Sequence, residues 1–130
     1  MNIHKPYIQI AAIFGALSVV LGAFAAHGLK EKVSADALQI FETGVRYQFY
    51  HVFALAITGI IFYTANQKLI KPAGIFFILG IILFSGSLYA LTFAVNAGNT
   101  SLMKLGMITP FGGVCFIAGW LLLAFSLAKK

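Results

Sequence analysis

The side chains able to do chemistry are concentrated in one stretch. HGLKEKVSADALQIFETGVRYQFYH, residues 27–51, holds His27 and His51 at its ends, the pair Glu42 and Arg46, and Tyr47 and Gln48 beside the second histidine. Histidine changes charge near neutral pH, and its neutral ring ligates metals. On a helix, Tyr47 and His51 share a face at i,i+4, with Gln48 within the same turn. If both ends of the stretch return to one membrane surface, His27, Glu42, Arg46, Tyr47, Gln48 and His51 form an interfacial cluster able to bind a metal or a small polar ligand. The competing reading is structural. His27 would stabilise the carbonyl end of the preceding helix, and His51 with the tyrosines would anchor at the interface. Two histidines without a firm third ligand make a weak metal set, so no metal or cofactor is assigned and His27 and His51 stay as the only candidates. His4 is expected to be solvated.

Composition decides what must position these residues. Hydrophobic residues make up 61% of the 130 and charged residues 9%, against about 25% charge in a soluble domain. So few charges cannot clothe a soluble surface, and the apolar excess must face lipid. The formal charge of +6 is spread singly between apolar blocks. That spacing excludes a nucleic-acid face and fits cations flanking membrane segments. The lone cysteine, Cys115, cannot form an intrachain disulfide and reads as a small side chain in an apolar block. No glycine-rich phosphate loop and no Ser/His/Asp or Cys/His set is found, so no enzymatic activity is expected. Asn99-Thr100-Ser101 matches a glycosylation sequon, meaningful only in a eukaryotic secretory pathway.

Crossing a hydrocarbon core takes about 20 apolar residues. The expected fold is all-α: one integral membrane domain, 1–130, built as a four-transmembrane-helix bundle with spans at about 7–26, 47–65, 73–95 and 110–128. Residues 34–46, with Ser34 as N-cap, read as an amphipathic helix lying in the interface between the first two spans; Leu38, Phe41, Val45 and Phe49 form its apolar face. Within it, Glu42 and Arg46 stand at i,i+4. Pro72 and Pro110 are placed at helix starts, Thr109 as a hydroxyl cap, and Gly28 as a left-handed C-cap. Residues 66–71 and 96–107 are expected as loops. Lys5, the apolar stretch after it and Ala23-Phe24-Ala25 also resemble a cleavable signal peptide, but that stretch is long for one. Lys5, Lys68, Lys71, Lys129 and Lys130 against Lys30, Lys32, Arg46 and Lys104 place both termini in the cytoplasm by a narrow positive-inside margin.

Helices in lipid associate through small residues. Ala11, Gly15, Ser18, Gly22 and Ala25 recur at alternating fours and threes; Gly86, Ala90 and Ala94 recur at fours; Gly112, Gly119 and Ser126 recur at sevens. These are the expected packing seams. No Asp, Glu, Lys or Arg falls in the strictly apolar parts of the spans, which argues against a proton-coupled pump with an embedded carboxylate.

The stretches GAFAAHGL, TGVRYQFYH, FSGSLYAL and ITPFGG with a later Gly119-Trp120 occur in that order over nearly the whole chain. Together they resemble the four-helix membrane family that includes transmembrane protein 256 of animals and the bacterial DUF423 proteins. The family's glycine-rich motif is expected to read Gly-Ala-His where this chain has Ala25-Ala26-His27; alanine is small enough to keep the close contact. The resemblance implies a multi-pass protein, in the plasma membrane of bacteria, with no established activity. The resulting expectation is an accessory or structural component whose partners are the bilayer and either a second copy or another membrane protein. The alternatives are a small-solute transporter or channel subunit, and a metal- or cofactor-binding protein using His27 and His51.

Overall fold

The computed structural model describes residues 1–128, which form helices joined by short turns. Helix α1 (Lys5–Phe24) continues into a π-helical turn, Ala25–Leu29, and α2 follows at Ala35–Ile61. Helix α3 (Gln67–Gly80) passes through a second π turn, Ile81–Ser85, into α4 (Gly86–Asn96). A short α5 (Thr100–Met103) and a 3-10 turn (Lys104–Met107) lead into α6 (Thr109–Ser126). Three helical runs are long and apolar enough to cross a membrane: Lys5–Leu29, Gln67–Asn96 and Thr100–Ser126. The outer surface is apolar, with Ile13, Val20, Phe53, Phe111, Ile117 and Phe125 all more than 60% exposed.

The helices run alternately up and down. Gly59 faces Tyr7 and Ile8, Gly15 faces Val52 and Gly22 faces Val45, which sets α1 antiparallel to α2 along its whole length. The Ser85 hydroxyl donates to the Gly44 carbonyl at 2.7 Å, and the Ser34 amide donates to Asn96 Oδ1 at 3.1 Å, which sets α3–α4 antiparallel to α2. At the other end the His4 amide donates to the Gly59 carbonyl at 2.8 Å and the Asn66 amide to the Ser126 carbonyl at 2.9 Å.

Glycine lets α3 and α6 approach. Phe116 of α6 lies where a Gly80 side chain would stand, and Phe77 of α3 lies within 2.8 Å of the Cβ that Gly119 lacks. Gly112 meets backbone: an added Cβ would come 2.7 Å from the Phe84 Cα. Each helix thus offers a glycine socket to a phenylalanine of the other.

Several expectations about elements need correction. The amphipathic segment is not a separate interfacial helix: α2 is continuous, and its first turns run in line with the expected second span. Phe41 and Val45 are buried with Ala25 and Leu29, and Leu38 and Phe49 pack against them, so the end of α1 covers the apolar face expected to meet the interface. That helix ends at Ile61 rather than Ala65. Pro72 lies inside α3, because Asn66 accepts from the Lys68 amide and starts the helix earlier. Thr109 makes no side-chain cap; its hydroxyl pairs with that of Ser87 at 2.6 Å. Gly28 is not left-handed but belongs to the π turn, and Gly98 alone among the described residues has positive φ. Gly98 closes α4 as a Schellman motif, with the Asn99 amide on the Ala94 carbonyl and the Gly98 amide on that of Val95. Residues 96–107 are largely helical, and Asn99 of the sequon caps α5. His4 stacks on Phe62 at 4.1 Å and accepts from the Tyr7 amide.

The α1 seam and the α6 seam lie inside the bundle: Ala11, Ser18, Ala25, Gly112, Gly119 and Ser126 are buried, and Gly15 and Gly22 face α2. The α4 seam does not. Ala94 is buried, but Gly86 and Ala90 are exposed, and nothing lies within 4 Å of a Cβ at Gly86. The contact face there runs through Ser85, Leu88 and Thr92. Lys129 and Lys130, which enter the charge count of the termini, lie outside the described residues.

Candidate functional site

The polar centre of the molecule is the middle of α2. His51 is 4% exposed and Gln48 3%. At i,i+3 the two share the inward face of α2 and diverge by about 60°, enough to reach different neighbouring helices. His51 turns toward α6. Its Nδ1 lies 2.6 Å from the Tyr47 carbonyl, and the Trp120 indole N–H donates to its Nε2 at 3.1 Å. A carbonyl only accepts, so Nδ1 carries the proton, and an indole only donates, so Nε2 offers its lone pair. The imidazole is therefore neutral, with both nitrogens used. Its ring lies flat on Phe116, with centroids 3.4 Å apart.

Gln48 turns toward α1 and α4. Its Nε2 donates to the Phe14 carbonyl of α1 at 2.9 Å, and its Oε1 accepts from the Tyr89 hydroxyl of α4 at 2.7 Å. Phe14 in turn accepts from Ser18 at 2.8 Å. Three helices are tied by one amide. Thr58 and Thr92 satisfy their hydroxyls on the carbonyl four residues back, which lets them be buried in a helix. Among the described residues, no buried side-chain nitrogen or oxygen lacks a partner.

The expected cluster is only partly assembled. Tyr47, Gln48 and His51 lie together, with Tyr47 stacked toward His51 and packed on Phe84. Glu42 and Arg46 are on the outward stripe of α2 and are exposed. His27 is exposed in the π turn after α1. With Gly15 opposite Val52, His51 sits beside Gly15, and twelve residues of helical rise put His27 about 18 Å further along. His27 and His51 cannot share a metal in this geometry, and His51 has no free lone pair to offer one. Among the described residues no three His, Cys, Asp or Glu side chains gather into a metal-holding group.

The partners were not readable from sequence. Trp120 stands 69 residues from His51 and Tyr89 stands 41 from Gln48. Both occur in stretches that carried the family resemblance, and no other signal pointed to them. Chemically, the arrangement is a clasp: it holds α2 to α1, α4 and α6 through groups that leave no reactive atom free.

A family model described as a protein of unknown function, DUF423, matches residues 21–113. A UPF0382 membrane protein of Staphylococcus haemolyticus is 42% identical over 125 residues, covering 96% of this chain and 97% of its own. The UPF0382 membrane protein YwdK of Bacillus subtilis is 39% identical, covering 96% and 98%. A UPF0382 membrane protein of Haemophilus influenzae is 40% identical, covering 95% and 94%. No solved structure matches.

Proposed function

We propose that this chain, which belongs to the DUF423 family of membrane proteins of unknown function, is a four-span, multi-pass accessory or structural component of the cell membrane. The observation that carries this reading is the filled and satisfied interior: Gln48 and His51, the buried polar centre of α2, are spent on neighbouring helices, and the sockets at Gly80 and Gly119 are filled by rings. A channel or carrier needs a hydrated polar path; a solid core suits a scaffold.

Counting α2 as the fourth span is supported by its place in the bundle. It is antiparallel to both neighbours and carries Phe53, Ile57 and Ile60 outward. Beyond Arg46 its buried polar side chains Gln48, His51 and Thr58 are all hydrogen-bonded within the bundle, so the cost of placing them at membrane depth is offset inside the protein. The narrow lysine bias supports both termini in the cytoplasm.

Single cysteines introduced in a Cys115→Ala background test the topology. Cysteines at Asn2 and Asn66 are expected to be shielded from a membrane-impermeant maleimide in intact cells, with those at Glu31 and Asn99 labelled. Glu31 and Asn66 reacting from the same side would mean that α2 does not cross and would remove the fourth span. The accessory role predicts that crosslinking in native membranes captures one reproducible protein partner; replicate captures with none in common would overturn it.

A further inference from the structure

We infer that the slot between α2 and α6 holds one acyl chain of an acidic phospholipid, with the phosphate at Arg46. The slot has a volume of about 520 Å³ and is lined by Tyr47, Tyr50 and His51 of α2 and by Gly113, Phe116 and Trp120 of α6. Neither His51 nor Trp120 offers a ligand a free nitrogen, because His51 Nε2 and the indole N–H bond each other and His51 Nδ1 is held by the Tyr47 carbonyl. What can lie there is a hydrocarbon chain. Along α6 the lining runs from Gly113 to Trp120, about 10 Å of helical rise.

The charge at one end selects the headgroup. Arg46 is exposed, next to Tyr47 and one turn from Tyr50 on the outward stripe of α2. Its level in the bundle is fixed by Phe84, which packs on Tyr47 at 4.7 Å and against Gly112, near the start of α6. Arg46 is therefore level with the Gly113 end of the slot. Glu42 lies a turn further from it, so the cation is between that carboxylate and the slot. An arginine fork with an apolar trough running from it toward mid-bundle matches a phosphodiester with its acyl chain. Tyr47 and Tyr50 are placed at the same level, where aromatic side chains meet headgroups.

This inference rests on the four-span reading, which puts Arg46 at a membrane boundary. The test is native mass spectrometry of the full chain released from vesicles of equal phosphatidylglycerol and phosphatidylcholine. The parent is expected to retain phosphatidylglycerol about fivefold over phosphatidylcholine, the factor that one juxtamembrane cation supplies. Arg46→Gln is expected to bring the two lipids to parity. Gly113→Leu fills the slot from a position where an added Cβ meets only the Phe84 ring at 3.9 Å, and is expected to lower retention of both. Near-UV circular dichroism checks that each variant keeps the parent fold. Equal retention by the parent, an unchanged preference in Arg46→Gln, or a dimer that closes the slot without lipid would each overturn the inference. Cysteine labelling at Glu31 and Asn66, on either side of α2, separates the two failures: opposite sides with no lipid preference sinks the lipid site alone, and the same side sinks the span count beneath it.

Discussion

A buried imidazole has two nitrogens to satisfy, and His51 meets that demand with one group from its own helix and one from another. Removing the donor while keeping the ring isolates the second bond. Trp120→Phe is expected to lower stability by about 0.6 kcal/mol and at most about 1.7, the range of interhelical hydrogen bonds measured in membranes. In a double-mutant cycle with His51→Phe that loss should largely disappear, as thermal unfolding in detergent would show. Zinc added to the parent should leave the unfolding midpoint unmoved, since His51 has no free lone pair to take it; a rise that His51→Phe abolishes would restore the metal reading. That Tyr47, Gln48 and His51 matter was legible, because polar side chains a turn apart in an apolar helix need a reason. What they bind was not, because no local pattern points across 69 residues to an indole.

Helix contacts were legible where small side chains recur with helical period, and the seam on α1 and the one on α6 are where that period places them. Period defines a stripe but not which way the stripe faces. On α4, Gly86 and Ala90 keep the spacing and point outward. The π turn at Ile81–Ser85 adds to the difficulty: its extra residue rotates α4 by about 100° relative to an unbroken helix. The glycine sockets were hidden for a different reason, since a phenylalanine and the glycine it fills lie on different helices. Two neighbouring glycines separate contact from composition. Gly112→Ala drives a methyl into the Phe84 backbone and is expected to cost about 1–3 kcal/mol. Gly113→Ala adds the same methyl with 3.9 Å of room, and should be neutral or slightly stabilising. Equal effects in a thermal unfolding series would mean that α6 does not meet the π turn at Phe84.

At the scale of the molecule, the all-helical class and the membrane setting were legible in the scarcity of charge. The separate interfacial helix did not survive, because amphipathicity shows that a face is buried without showing what buries it. Leu29 and Ala25, at the end of α1, take the place assigned to the bilayer surface. The same contact bears on the signal-peptide resemblance. Ala25 is 2% exposed and Ala11 2%, both against the rest of the bundle, so losing the segment before Ala26 would strip α2 of its partner. Intact mass of the protein purified from membranes is expected to include α1; a species starting at Ala26 would mean that cleavage occurs.

The clasp at His51 also sets an order of completion during synthesis. The imidazole leaves the ribosome with α2, while the indole that occupies its Nε2 arrives only with α6, after α3 and α4. Until then the half-made protein presents an unpaired acceptor and open sockets at Gly80 and around Phe77. The interior of α2 is thus fully paired only once α6 has packed against it.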